Sequence, residues 1–328
     1  MRSVLRAALL LVAAVLTIAC MSCRSRDPAP LLITSTPWVG NTPLMAARER
    51  RLFGETDVRL VELSTDFDVW RALREGRASA TTGTLFDVLR FVDHGVHLKV
   101  VMALDASRGA DGIIAREGIH RMQDLVGRTV AVEKSTLTHF VLLRALERAG
   151  VREDEVALEN LATDEALAAL DEGRVDAAAL WEPLLTQATK PGRRVLFTSA
   201  EIPGEIVDVL AVRDEVLKAR PSEVVEMLVA QDHVAASFAA DPNDAAETAS
   251  RLLGLEIPEA RAALERVEIF GLDENTRRFE ASTPQSLWKA YALAERFMRG
   301  HGMLRHAARP ASDIFDGGPI ARAIARRP

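Results

Sequence analysis

The chain has 328 residues, is 48% hydrophobic and 27% charged, and carries a formal net charge of −6 with Lys and Arg scattered among Asp and Glu. That balance lacks the basic stripe of a nucleic-acid binder, and two cysteines are too few for a disulfide scaffold. About three hundred residues past the leader suffice for two lobes and a core that needs no crosslinks.

The chain opens on Arg2 and Arg6, followed by an apolar stretch from Leu9 to Ile18 that is short for a membrane span. The segment Leu16-Thr17-Ile18-Ala19-Cys20 resembles a lipobox, in which a small residue precedes a cysteine that takes diacylglycerol and becomes the mature N-terminus. On this reading residues 1–19 are a lipoprotein signal peptide, Cys20 is the lipidation site, and residues 20–30, with Cys23, are a polar tether. The alternatives are an ordinary secretory signal or a weak membrane anchor. The body is then expected to be periplasmic or otherwise extracytoplasmic, anchored to the membrane through lipid.

From Leu31 onward, short apolar runs at 31–35, 58–63, 98–103, 112–115, 129–132, 175–180, 195–198 and 207–212 predict strands. Helical periods fall between them at 43–51, 67–75, 85–93, 138–149, 165–171 and 183–188, an alternation that predicts α/β layering with mainly parallel strands. After residue 212 the strand signals stop, and 222–239, 243–253, 258–264 and 284–298 read as helices with Asp, Pro or Ser at their starts. An internal echo supports a repeated lobe: Thr65-Asp66, Ala72-Leu73, Glu75-Gly76-Arg77 and Ala80 recur as Thr163-Asp164, Ala169-Leu170, Glu172-Gly173-Arg174 and Ala177. Each copy starts a helix with an acidic first turn and stops it with a glycine.

The run Pro37-Trp38-Val39-Gly40-Asn41-Thr42-Pro43, then Glu75-Gly76, Ser107 to Ala115, Asp124-Leu125-Val126-Gly127-Arg128-Thr129-Val130-Ala131-Val132, Gly173 to Ala178 and Trp181-Glu182-Pro183 resembles the solute-binding proteins of ABC importers. Within them the likeness is to the group handling taurine, aliphatic sulfonates, nitrate and pyrimidine precursors. Ala78-Ser79-Ala80 departs from that group, which often carries an acidic residue after the glycine. The resemblance implies an α/β, two-lobe type II periplasmic binding fold with three-layer α/β/α lobes joined by two crossing strands near 112–117 and 207–213. Lobe 1 is then 31–116 plus 213–310 with a helical C-terminal part, lobe 2 is 117–212, and 311–328 is a tail. It also implies a monomer that takes a small-molecule solute, serves permease and ATPase subunits, and uses no cofactor or metal.

Open α/β sheets bind ligands at the C-terminal ends of strands, where helix N-termini face the crevice. There Trp38, Asn41 and Thr42 form one candidate loop and Thr84 another, each equally explained by packing or capping. Ser135 and Thr136, ahead of a helix containing His139, are the anion-binding candidates of the second lobe, with a plain cap as the alternative. Trp181 faces either the cleft or the domain seam. Asp66, in the first turn of its helix, and Ser107, at the head of the Ser107 to Ala115 run, complete the polar set. Asp111, Glu182 and Asp208 either meet a cationic ligand group or pair internally, for example with Arg108, because a buried unpaired carboxylate is costly. His94-x-x-His97 reads as surface histidines, and Ser135 with His139 lacks the orienting acid of a triad. Three functions stand: a receptor delivering solute to a permease, an enzyme on the same fold making a pyrimidine or menaquinone precursor, and a ligand sensor.

Overall fold

The computed structural model describes residues 29–63, 65–306 and 309–327. Residues 1–30 and 31–328 form separate units, and the account below concerns the second. The signal peptide, Cys20 and most of the tether lie outside the described residues.

Two sheets follow one plan. The first has the order β11-β4-β10-β3-β1-β2, built from β1 (Leu31–Ser35), β2 (Val58–Glu62), β3 (Ala80–Thr84), β4 (Leu98–Ser107), β10 (Val207–Arg213) and β11 (Val267–Ile269). The second has the order β7-β6-β8-β5-β9, from β5 (Asp111–Arg116), β6 (Thr129–Val132), β7 (Ala157–Asn160), β8 (Ala177–Trp181) and β9 (Arg193–Thr198). In one, β1 runs parallel to β2 and β3, with β10 antiparallel beside β3. In the other, β6 runs parallel to β7 and β8, with β5 antiparallel beside β8. Helices on the faces of parallel strands bury both sides, and Leu31, Ile33, Val130, Ala131 and Val132 are all shielded accordingly.

The sequence echo is the core of this repeat. Helices Asp66–Arg74 and Thr163–Asp171 end at Gly76 and Gly173, with φ of 74° and 72°, and each feeds the third parallel strand of its sheet. The left-handed conformation is what a glycine supplies without steric penalty. At Gly76 a side chain would also press on the Arg213 guanidinium.

The lobe boundaries differ from those expected. Residues 111–116 belong to the second sheet, since β5 pairs with β8 and β9, while β10 pairs with β3 and β4 in the first. The chain therefore crosses between lobes at 108–110 and 199–206, not at 112–117 and 207–213. The apolar runs that suggested crossing strands are apolar because each is buried inside one lobe: Ile113 and Ile114 in the second, Val209 and Leu210 in the first. The crossings are tied to one another. The fully buried Ser199 Oγ accepts from Gly109 N at 2.7 Å and shares a hydrogen bond with Ser107 Oγ at 2.6 Å, while Ser107 N donates to Ile206 O. Gly109 turns at φ 113°, a conformation that favours glycine.

Three short strands escape the apolar-run criterion. β3 is the polar Ala-Thr-Thr-Gly-Thr, β7 lies on an edge, and β11 breaks the all-helical reading of the C-terminal part. The last residues are not a solvated tail either. Phe315 bridges to Val100, helix Gly318–Ile324 packs on helix Pro221–Ala240, and Ile314, Ile320 and Ala323 are buried. Arg327 closes this end on Asp232 and Asp273. Among the described residues no helix is long and apolar enough to cross a membrane.

Candidate functional site

The two sheets present their strand ends to a shared cleft. From the first come the loop after β1, the end of β3 with the start of helix Leu85–Asp93, and Asp208 of β10; from the second come Asp111 of β5, Trp181 of β8 and Leu137 at the start of helix Leu137–Ala149. Asp111 and Trp181 are register partners across β5 and β8. Asp208 is the partner of Thr84 on one side and of Asp105 on the other. The cavity encloses about 40 Å³ of space open to water-sized bodies, room for roughly three waters, which suits a compact solute.

Trp38 forms one wall and is fixed from behind: its Nε1 donates to Asp105 Oδ1 at 3.2 Å and Oδ2 at 3.3 Å. Gly40 permits this contact, because a side chain there would overlap both Asp105 Oδ2 and Trp38 Nε1. Thr84 caps its helix through a reciprocal box: its Oγ1 donates to Asp87 Oδ2 at 2.6 Å, its N donates to the same oxygen at 3.0 Å, and Asp87 N donates back to Thr84 Oγ1. That leaves Asp87 Oδ1, 3.9 Å from the Arg90 guanidinium, buried without a hydrogen-bond partner. The same holds for Asn41 Oδ1, Thr82 Oγ1 and both carboxylate oxygens of Asp111, all on residues lining the cleft.

The cleft is acidic. Burial pushes the Asp111 carboxyl up to about 7, with the Ser107 hydroxyl opposing and the charges of Glu182 and Asp87 adding to the rise. Burial likewise lifts Asp105 to about 7, against the Trp38 hydrogen bond and with the help of Asp111. Asp208 is raised well above the usual range by burial and then by Asp105, Asp111 and Asp87. Asp66 is raised too, to about 8, by desolvation first and the Asp87 charge next, against the pull of Arg90 at 3.2 Å. No Lys or Arg lines the cavity.

Trp38, Asn41, Asp66, Thr84, Asp111, Trp181 and Asp208, all singled out in the sequence, do line this cleft. The remainder do not. Thr42 is buried and donates to Val39 O at 2.6 Å; Ser107 belongs to the hinge network. Ser135 is exposed at a φ of 64°, its N donating to His139 Nδ1, and Leu137 stands at the cleft in place of a hydroxyl. Thr136 Oγ1 donates to Glu133 O at 2.7 Å, and His139 meets Glu153 at 3.3 Å. Burial lowers the His139 imidazole below its usual range, against the pull of Glu153. Glu182 is fully buried, but its oxygens are taken by Thr186 Oγ1, Thr186 N and Arg266, so it is an internal pair. Arg108, the expected partner of a cleft carboxylate, instead lies 3.9 Å from Glu268 on the surface. Sequence reasoning missed Asp87 and Asp105. Asp87 had a signal, three residues after Thr84 in a capping-box spacing; Asp105 had one as a lone carboxylate in a buried apolar strand.

The sequence matches the family model described as NMT1/THI5 like over residues 38–245, well over half of the chain. The taurine-binding periplasmic protein of Escherichia coli is 27% identical over 133 residues, covering 39% of this chain and 41% of that protein. The chain spans less than two thirds of the length of the curated relatives it matches. Among solved structures, the alkanesulfonate-binding protein SsuA from Xanthomonas axonopodis bound to MOPS superposes with a TM-score of 0.73 at 18% identity, over 89% of this chain and all of that one. The periplasmic aliphatic sulphonate binding protein SsuA of Escherichia coli gives 0.73 at 20% identity, over 88% and 98%. The desulfurization enzyme DszB gives 0.65 at 15% identity, over 90% and 99%. The chain belongs to the NMT1/THI5-like family and has the two-lobed α/β fold of periplasmic binding proteins.

Proposed function

We propose that this protein is an extracytoplasmic solute receptor, tethered through lipid on Cys20, that holds one small organic solute in the interlobe cleft and delivers it to an ABC permease with its ATPase. It acts as a monomer and leaves the solute unchanged. The supporting observation is the cleft: two lobes of one plan present unpaired polar oxygens and two Trp side chains to a common space, and only two crossings, at 108–110 and 199–206, join the sheets. Such a joint allows hinge closure, the event a transporter reads. Similarity to taurine- and sulfonate-binding proteins supports a compact polar solute such as an aminosulfonate, zwitterionic or anionic.

The enzyme alternative has a structural neighbour in DszB, and against it stands a described cleft lining that holds no Cys, His or Ser to form a nucleophile–base pair. The test is intrinsic fluorescence of the detergent-solubilised full chain titrated with taurine, alkanesulfonates, nitrate, choline derivatives and pyrimidines. A saturable change traced to Trp38 and Trp181 by Trp→Phe substitution is expected. Chemical conversion of a bound compound contradicts the reading. Radiolabelled fatty acid should enter the native protein and not Cys20→Ala.

A further inference from the structure

We propose that the cleft selects its solute by a cationic nitrogen, an ammonium, amidinium or protonated heterocycle, seated between Trp38 and Trp181 against Asp111 and Asp208. This rests on the receptor reading above and narrows it, since a sulfonate or nitrate alone would lack a counter-charge here.

Four carboxylates, Asp66, Asp87, Asp111 and Asp208, line the cavity, and a fifth, Asp105, stands behind Trp38. The one cation among them is Arg90, 3.2 Å from Asp66 and 3.9 Å from Asp87, on the rim rather than in the lining. Asp111 is 1% exposed and neither of its oxygens meets a hydrogen-bond partner, while the neighbouring Ser107 and Ser199 hydroxyls share a bond of 2.6 Å. Buried carboxylates without partners are stable only when something supplies protons or positive charge.

Of the other lining oxygens without a hydrogen bond, Asn41 Oδ1 and Asp87 Oδ1 only accept, and the Thr82 hydroxyl can accept as well as donate, so the cleft offers a ligand more acceptors than donors. Indole faces attract cations held over them. Among the described residues no three His, Cys, Asp or Glu side chains converge as metal ligands would, so the geometry fits an organic cation with several N–H groups. The competing chemistry is a cleft of neutral carboxylic acids that donate hydrogen bonds to an anion, and the two differ in proton traffic. Around the site, Asp66, Asp87, Asp105, Asp111, Asp208, Glu133 and Glu182 compete with Arg90 and Arg266. A bound cation draws the raised acids Asp105, Asp111 and Asp208 to ionise and expels protons, whereas a bound anion takes protons up.

The experiment is calorimetric titration of the detergent-solubilised full chain at pH 6 and 8, in phosphate and in Tris, with propylammonium, benzamidinium, taurine and propanesulfonate as probes. The expected result is saturable binding of at least one of the two cations, at least tenfold tighter at pH 8 than at pH 6, with proton release and no binding of propanesulfonate. Asp111→Asn and Asp208→Asn, shown folded by circular dichroism, each weaken cation binding at least tenfold. Propanesulfonate binding with proton uptake overturns the inference while leaving the receptor reading intact, as does failure of both cations to bind. Conversion of a bound probe removes the receptor reading but not the charge preference. Unchanged cation affinity in both Asn variants also overturns the inference.

Discussion

Asp111→Asn should stabilise the solute-free protein, and only at neutral to alkaline pH. A carboxyl moved from 3.8 in the unfolded chain to about 7 in the fold is protonated in both states below pH 3.8, so it costs nothing there. As pH rises, the unfolded state ionises first, and stability is lost until the folded group also ionises. The cost is roughly 2 kcal/mol at pH 5 and roughly 4 kcal/mol at pH 8. Asparagine removes this titration but buries an amide that lacks a partner, at about 1–3 kcal/mol. The variant should therefore sit within about 1 kcal/mol of the parent at pH 5 and be about 1–3 kcal/mol more stable at pH 8. In thermal melts without added solute, that is a gain of a few degrees at pH 8 that fades at pH 5. Equal offsets at both pH values, or a larger gain at pH 5, would refute the claim that Asp111 is held as a strained, unpaired acid.

Three further substitutions probe the supports of the cleft. Gly40→Ala forces Trp38 and Asp105 apart; a loss of roughly 1–3 kcal/mol with loss of solute-dependent fluorescence is expected, and an unaffected titration would sink the argument. Ser199→Ala strands the Gly109 N–H at the hinge and should cost about 1–3 kcal/mol, read by urea unfolding. Arg266→Ala leaves Glu182 buried with only Thr186 as partner; because the Arg is one-third exposed, about 1–3 kcal/mol is expected, below the full cost of an uncompensated buried ion. Truncation after Pro310 deletes the buried Ile314, Phe315 and Ile320 and should lower the melting temperature; a chain that still melts cooperatively at the parent's temperature would show this end to be dispensable.

Parallel strands such as β1 and β6 and their helices were readable in the sequence because each obeys a local rule: each of these strands carries three consecutive apolar residues, and the helices ending at Gly76 and Gly173 carry acidic starts and left-handed stops. β3 was not, since Ala80-Thr81-Thr82-Gly83-Thr84 is held in place by strands on both sides and not by its own composition. The crossings were misplaced for a related reason. Apolar strands at 111–116 and 207–213 show that these stretches are buried, but not in which lobe, and only pairing decides that. In the site, Trp38, Asp111, Trp181 and Asp208 stood out because their residue types are costly or bulky at strand ends. Ser135 failed because a hydroxyl before a helix looks the same in sequence whether it turns toward a cleft or toward solvent. Glu182 took the internal pairing that the sequence left open, but its partner Arg266 could not be named because it lies far along the chain.

Phenylalanines pack across the lobe contact. Phe140 of the second lobe packs on Phe86 at 5.7 Å and edge-on against Phe297 at 4.8 Å, both from helices on the first lobe's side. Together with Glu182 and Arg266, these contacts hold the lobes together at positions outside the cleft lining.

The most direct test is native mass spectrometry of the detergent-solubilised full chain incubated with equimolar candidate solutes. A receptor of this kind should carry one solute molecule per chain and release it with its mass unaltered. A chain that retains none of them, or returns a chemically changed product, would contradict the receptor reading.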